Sequence, residues 1–135
     1  MTPKGPPNAS PTVLVVDDEA TIRQVARRIL EGQGYHVTEA SNGLDAIALL
    51  DAGAPLDLLI ADFHMPDLLG DEMVRRIRAS RPDLKVLYVT GQIDRLMDER
   101  PSLGDGDAFL DKPFSATGLL EAVSLMLHGT LKKNV

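Results

Sequence analysis

An α/β fold, built as a doubly wound five-stranded parallel sheet with five helices, is what three features of the chain predict. Short β-branched and aliphatic runs alternate five times with longer stretches whose apolar residues recur at helical spacing. That alternation is the signature of right-handed crossover units with helices on both sheet faces. The run 58–61, Leu-Leu-Ile-Ala, is apolar without interruption, as expected of a strand covered on both sides. Finally, the strand ends are polar: Asp17-Asp18, Asp62, Thr90 and Lys112. In a parallel sheet those ends share one edge, and open α/β sheets hold their ligands in the crevice outside it.

The elements follow in order. Residues 1–11 hold four of the nine prolines together with Lys, Gly, Asn and Ser, too little apolar surface to order a segment, and read as a tail or linker. Thr12 starts the fold, and 13–16 is a strand running into Asp17-Asp18-Glu19. Ile22, Val25, Ala26, Ile29 and Leu30 fall at i, i+3, i+4, i+7 and i+8, the stripe of a helix with one buried face, and Gly32 and Gly34 end it. A second strand over 35–39 precedes Ser41-Asn42-Gly43, which opens a helix with Leu44, Ile47 and Ala48 on its inner side. Ala52-Gly53-Ala54-Pro55 stops that helix before the third strand.

Beyond Asp62 a loop with Pro66 and Gly70 leads to a third helix over 71–80, with Met73, Val74 and Ile77 inward, broken at Arg81-Pro82-Asp83. The fourth strand spans 85–89 and ends at Thr90-Gly91. Residues 93–100 have helical propensity but few apolar anchors, and Gly104-Asp105-Gly106 follows them. A short fifth strand over 108–110 ends at Asp111-Lys112-Pro113. Ser115 then caps a last helix with Leu119, Leu120, Val123 and Leu127 inward. Residues 12–128 form the domain in this reading, with 129–135 as a C-terminal tail.

Composition narrows the function. At 135 residues with 44% hydrophobic and 25% charged residues, the chain is one ordinary globular domain able to bury a core. It contains no Cys, so no disulfide framework or thiol site is available. A net charge of −6 argues against a nucleic-acid surface, which needs clustered Lys and Arg. No apolar run reaches the roughly 20 residues of a membrane span, and the N-terminus lacks the apolar segment of a signal peptide. A cytoplasmic location is the expectation.

Asp17, Asp18 and Asp62 brought together would repel unless a cation joins them. Oxygen donors without a His or Cys cluster favour a hard divalent cation, Mg²⁺ first, with Mn²⁺ as an alternative. Asp17 and Asp18 taken as a pair are read equally well as caps of the first helix, and Asp62 taken alone as an ordinary loop start. Lys112 and Thr90 supply a fixed positive charge and a hydroxyl, the two groups a phosphoryl group on Asp62 would need. As a set, these residues describe an in-line nucleophile surrounded by charge neutralisers.

On the residues Val15-Val16-Asp17-Asp18-Glu19, Asp62 with Met65-Pro66 and Gly70, Val89-Thr90-Gly91, and Lys112-Pro113-Phe114, the chain resembles the receiver domain of two-component response regulators. The resemblance covers 13–127. It implies a flavodoxin-like sheet of order 2-1-3-4-5. It implies that Asp62 accepts a phosphoryl group from the phosphohistidine of a histidine kinase or histidine phosphotransfer protein. Mg²⁺ would be held by Asp18, Asp62 and the main-chain carbonyl of His64, with Asp17 acting through water. It also makes Thr90 and Lys112 readers of the phosphoryl group, Phe109 the aromatic switch residue, and Lys112-Pro113 a cis peptide. His64 falls where the side chain influences how fast water removes the phosphoryl group. The sparse fourth helix leaves the usual partner surface, from that helix to the last, poorly defined.

The leading expectation is therefore a phosphorylatable signalling switch, not an enzyme beyond its own phosphorylation and slow autodephosphorylation. It would stand alone, relay phosphate, or belong to a larger protein. The proline-rich start and the run 86–92 resemble receivers appended to hybrid sensor kinases. A haloacid-dehalogenase-type phosphatase is the rival from another class, but it would need an Asp where His64 stands and a cap to enclose substrate. A receiver-like module that only binds partners is the third reading.

Overall fold

In the computed structural model, which describes residues 10–92 and 107–129, five parallel strands form one sheet in the order β2-β1-β3-β4-β5. These are β1 (Thr12–Val16), β2 (His36–Ala40), β3 (Leu58–Asp62), β4 (Val86–Thr90) and β5 (Ala108–Asp111). Four helices are present among the described residues: α1 (Ala20–Glu31), α2 (Gly43–Asp51), α3 (Gly70–Arg78) and α4 (Ala116–His128). The helix expected over 93–100 and the Gly104-Asp105-Gly106 loop lie outside the described residues, as do most of the N-terminal tail and residues 130–135. No helix among the described residues is long and apolar enough to cross a membrane.

The strand period of two divides the sheet's side chains between two cores. Leu14, Val16, Leu59, Ala61, Val86 and Tyr88 face α2 and α3, where Ala46, Leu50, Met73, Val74 and Ile77 close over them. Val13, Val15, Leu58, Ile60, Leu87 and Val89 face α1 and α4, against Ala26, Leu30, Leu119 and Val123. Every residue of β1, β3 and β4 is buried, so the uninterrupted apolar runs are a direct consequence of two-sided cover.

Two expected helix faces are corrected. Val25 is 43% exposed, because the buried stripe of α1 centres on Ala26 and Leu30 and leaves Val25 about 120° off that centre. On α2, Leu44 and Ala48 point outward, and the buried positions are Gly43, Ala46 and Leu50, with Ile47 partly covered. The contact there is tight: a Cβ on Gly43 would come within 3.1 Å of the Leu68 side chain. Small residues at such a contact carry little hydropathy, so Leu44 dominated the pattern. The cap expected at Ser115 is present, accepting from the Gly118 N–H at 2.9 Å, and Asn42, in the stretch expected to open α2, accepts from the Asp45 N–H at 2.8 Å. The remaining strand and helix limits differ from the sequence reading by one or two residues.

Candidate phosphoacceptor site

Adjacent strands in register bring the polar ends onto one edge. Asp17 follows β1 directly, β3 ends on Asp62, β4 on Thr90, and β5 on Asp111 just before Lys112. Asp62 lies opposite Val89 and Thr90 opposite Asp111 in the ladder. Carboxylate oxygens of Asp17, Asp18 and Asp62 all lie within 4.8 Å of one another. Asp18 is exposed, whereas Asp17 and Asp62 are 2% and 7% exposed. The Lys112 Nζ reaches this group, 2.9 Å from Asp17 Oδ2 and 3.4 Å from both Asp62 Oδ2 and Glu19 Oε1.

Asp17 and Asp18 do not cap α1: its N-cap is Glu19, with no side-chain cap bond. Instead Asp17 is held on the site side by three bonds. Its Oδ1 accepts from the Glu19 N–H at 2.9 Å, its own N–H donates to the Ala40 carbonyl at 3.2 Å, and its carbonyl accepts from Arg23 Nη1 at 2.7 Å. Arg23 is in turn paired with Glu39 at 3.1 Å. Sequence reasoning missed Arg23 and gave Glu19 no role beyond its place in the Asp17-Asp18-Glu19 run. Arg23 sits one position after the apolar Ile22 and reads as a solvated charge, and only the sheet pairing of β1 with β2 brings Glu39 to it.

Electrostatics make the cluster costly when no cation is added. Burial first, and then the charge of Asp17, push the Asp62 carboxyl above its ordinary range, while Lys112 and the His64 N–H partly offset this. Burial alone would lower the Lys112 ammonium. Its hydrogen bond to Asp17 and the charges of Asp62, Asp17 and Glu19 outweigh burial and hold it above the usual lysine value. All ligand atoms of the triad are carboxylate oxygens, a donor set suited to a hard divalent cation and to no soft one.

The loop after β3 is closed on itself. Gly70 N–H donates to the Phe63 carbonyl at 2.7 Å, and a Cβ on Gly70 would stand 2.9 Å from both the Asp62 carbonyl oxygen and Phe63 Cα. Only glycine permits that approach. Within the loop, His64 N–H donates to Asp62 Oδ1 at 3.3 Å.

Thr90 is buried at the end of β4, and its carbonyl accepts from the Lys112 N–H at 3.0 Å, which ties it to the site. Its hydroxyl accepts from the Gln92 N–H at 3.2 Å. Lys112-Pro113 is cis. Phe109 is not part of the charged cluster. It packs against the α2/α3 core and stacks on Tyr88 with ring centroids 5.4 Å apart.

A doubly wound parallel sheet of this order, with an acidic triad and a lysine at the carboxyl edge, has the architecture of a signal-receiving domain. The family model of the response regulator receiver domain matches residues 13–124, and the chain belongs to that family. It is 33% identical over 122 residues to the sensor kinase CckA of Brucella abortus, covering 90% of this chain and 13% of CckA. To the response regulator MprA of Mycobacterium avium it is 35% identical over 119 residues, 87% of this chain and 51% of MprA. The chain thus spans a small part of CckA and about half of MprA. Among solved structures, the chemotaxis protein CheY4 of Vibrio cholerae matches with TM-score 0.79 and 31% identity, covering 88% of this chain and all of CheY4. The receiver domain of the hybrid histidine kinase CckA matches with TM-score 0.74 and 31% identity, covering 87% of this chain and 99% of that one.

Proposed function

We propose that Asp62 accepts a phosphoryl group from a phosphohistidine of a histidine kinase or histidine phosphotransfer protein. The observation that carries this is the seating of Asp62: buried at a strand end, within 4.8 Å of two further carboxylates and 3.4 Å from a lysine. In the transfer, an Asp62 carboxylate oxygen forms the new bond to phosphorus as the P–N bond breaks. The electron pair of that bond returns to the imidazole.

Asp18, Asp62 and the His64 carbonyl would hold Mg²⁺, with Mn²⁺ an acceptable substitute and Asp17 acting from the next layer. The cation would supply neutralisation of the charge on the phosphoryl oxygens. Lys112 offers the matching charge from the protein, and Thr90 the hydroxyl that a phosphorylated Asp62 can draw in. The chain acts on no other substrate in this reading, and 12–128 is the working domain in a cytoplasmic protein. The phosphatase alternative gains nothing from the site, since the place of its second acid is His64 and the matched family is the receiver.

The test is intact mass after incubation with acetyl phosphate and Mg²⁺, followed by hydroxylamine, which cleaves acyl phosphates. The wild-type chain should gain one phosphoryl group and lose it to hydroxylamine. Asp62→Asn should gain none. Full labelling of Asp62→Asn would overturn the assignment.

A further inference from the structure

The β3–α3 loop is fastened to a helix that plays no direct part in the charged cluster. Asp67, in the middle of that loop, places Oδ1 3.2 Å from the Gly43 N–H and Oδ2 3.0 Å from the Leu44 N–H. These are among the first amides of α2, which find no partner inside their own helix. A carboxylate there also meets the positive end of the helix dipole. The neighbouring Leu68 closes the same contact from its apolar side, against the bare Cα of Gly43.

The helix does not depend on Asp67 alone for its cap. Asn42 already serves α2 locally, accepting from the Asp45 N–H. The two bonds from Asp67 therefore add a crosslink across 23 and 24 residues of sequence, and its consequence falls on the loop. Between this clamp and the Gly70–Phe63 bond lies His64, whose N–H reaches Asp62. With both flanks pinned, the peptide units at 63–65 have little freedom to turn.

We propose that Asp67 is a positioning residue for the cation site. By clamping the loop onto the N-terminus of α2, it fixes the direction of the His64 carbonyl relative to Asp18 and Asp62. This rests on the reading of the triad as a Mg²⁺ site, and it assigns α2 a role as anchor. Partners of ligating groups commonly carry a tenfold or larger share of metal affinity.

The experiment compares Asp67→Ala, Asp67→Asn and Asn42→Ala in the full chain. Mg²⁺ is titrated while amide resonances of Asp18 and His64 are followed, and amide exchange of His64 is measured without metal. Asp67→Ala should weaken Mg²⁺ binding about tenfold and speed exchange at His64, while labelling by acetyl phosphate recovers at saturating Mg²⁺. Asp67→Asn keeps one acceptor oxygen and should lose less, which keeps the comparison open if the Ala variant folds poorly. Asn42→Ala removes the local cap and should lower Tm while leaving Mg²⁺ affinity and His64 exchange as in wild type. Unchanged Mg²⁺ affinity in Asp67→Ala, or an equal loss in Asn42→Ala, would overturn the positioning role alone. A wild-type chain that binds no Mg²⁺ would overturn the cation reading as well.

Discussion

Replacing the proposed phosphoacceptor should make the metal-free protein more stable. Burial and the Asp17 charge raise the Asp62 pKa in the folded state, with Lys112 and the His64 N–H acting against them. Between the ordinary carboxylate value and the raised one, the native state therefore binds more protons than the unfolded state. Stability falls as pH rises through that window, and the penalty is complete above the raised value. Each pKa unit of elevation costs about 1.4 kcal/mol. Asp62→Asn removes the charge, keeps an oxygen to accept from His64 N–H, and leaves Lys112 its 2.9 Å contact with Asp17. A gain in stability at pH 7 follows, seen as a higher Tm than wild type. Calorimetry in EDTA should show it. The gap should narrow as pH falls through the raised value and vanish below the ordinary carboxylate value, where Asp62 is protonated in both states. Mg²⁺ at ten times its Kd should close it from the other side, stabilising the wild type by about 1.4 kcal/mol. An Asp62→Asn protein less stable than wild type in EDTA at pH 7, or a gap that ignores pH, would refute the reasoning.

Gly70→Ala should destabilise the fold by about 1–2 kcal/mol in urea titrations. The new methyl meets backbone 2.9 Å away, an overpacking cost of roughly 1–3 kcal/mol, offset by up to about 1 kcal/mol of helix propensity. Because the atom it strikes is the carbonyl of Asp62, labelling by acetyl phosphate should slow as well, and a faster rate would contradict the loop geometry. Tyr88→Leu removes the ring on which Phe109 stacks and which meets Phe63 edge-on at 5.9 Å. Two aromatic contacts at about 0.5–1.5 kcal/mol each put the loss near 1–3 kcal/mol. The Phe109 ring resonances should broaden or move, and an unperturbed Phe109 would show that Tyr88 does not seat it.

The sheet and its edge were legible because they depend on one-dimensional signals. Uninterrupted apolar runs mark β1, β3 and β4, and a polar residue terminates each of them. What sequence could not show arises where small residues or distant backbone carry the contact. The inner face of α2 was misread in part because Gly43 and Ala46, the residues that fit against the loop and the core, are small and far less hydrophobic than the exposed Leu44. Arg23 and Asp67 escaped notice for a related reason. Each bonds to main-chain atoms of another element, and backbone partners leave no trace in side-chain pattern. Charged residues that look like solvent-facing spacing were thus holding Asp17 and the β3–α3 loop in place.

If Asp62 is phosphorylated as proposed, the charge balance at the edge would let the site behave as a switch. Three carboxylates face one ammonium, so Lys112 alone leaves the cluster about two charges short of neutral, and Glu19 adds to the deficit. A dianionic phosphoryl group on Asp62 would deepen it, a deficit that a cation and Lys112 together would offset. At rest the ammonium sits closer to Asp17 than to Asp62, 2.9 against 3.4 Å, leaving it a step to take toward a phosphorylated Asp62. Its peptide N–H is bonded to the Thr90 carbonyl, and it directly follows β5, the strand that carries Phe109. A displacement of the Lys112 backbone toward Asp62 would act on the ends of β4 and β5 together, while the Tyr88 ring on β4 and the Phe109 ring on β5 are stacked. Movement of one ring without the other would break a contact worth about 1 kcal/mol. The stack thus favours a concerted change of the two strands over a local adjustment at Lys112.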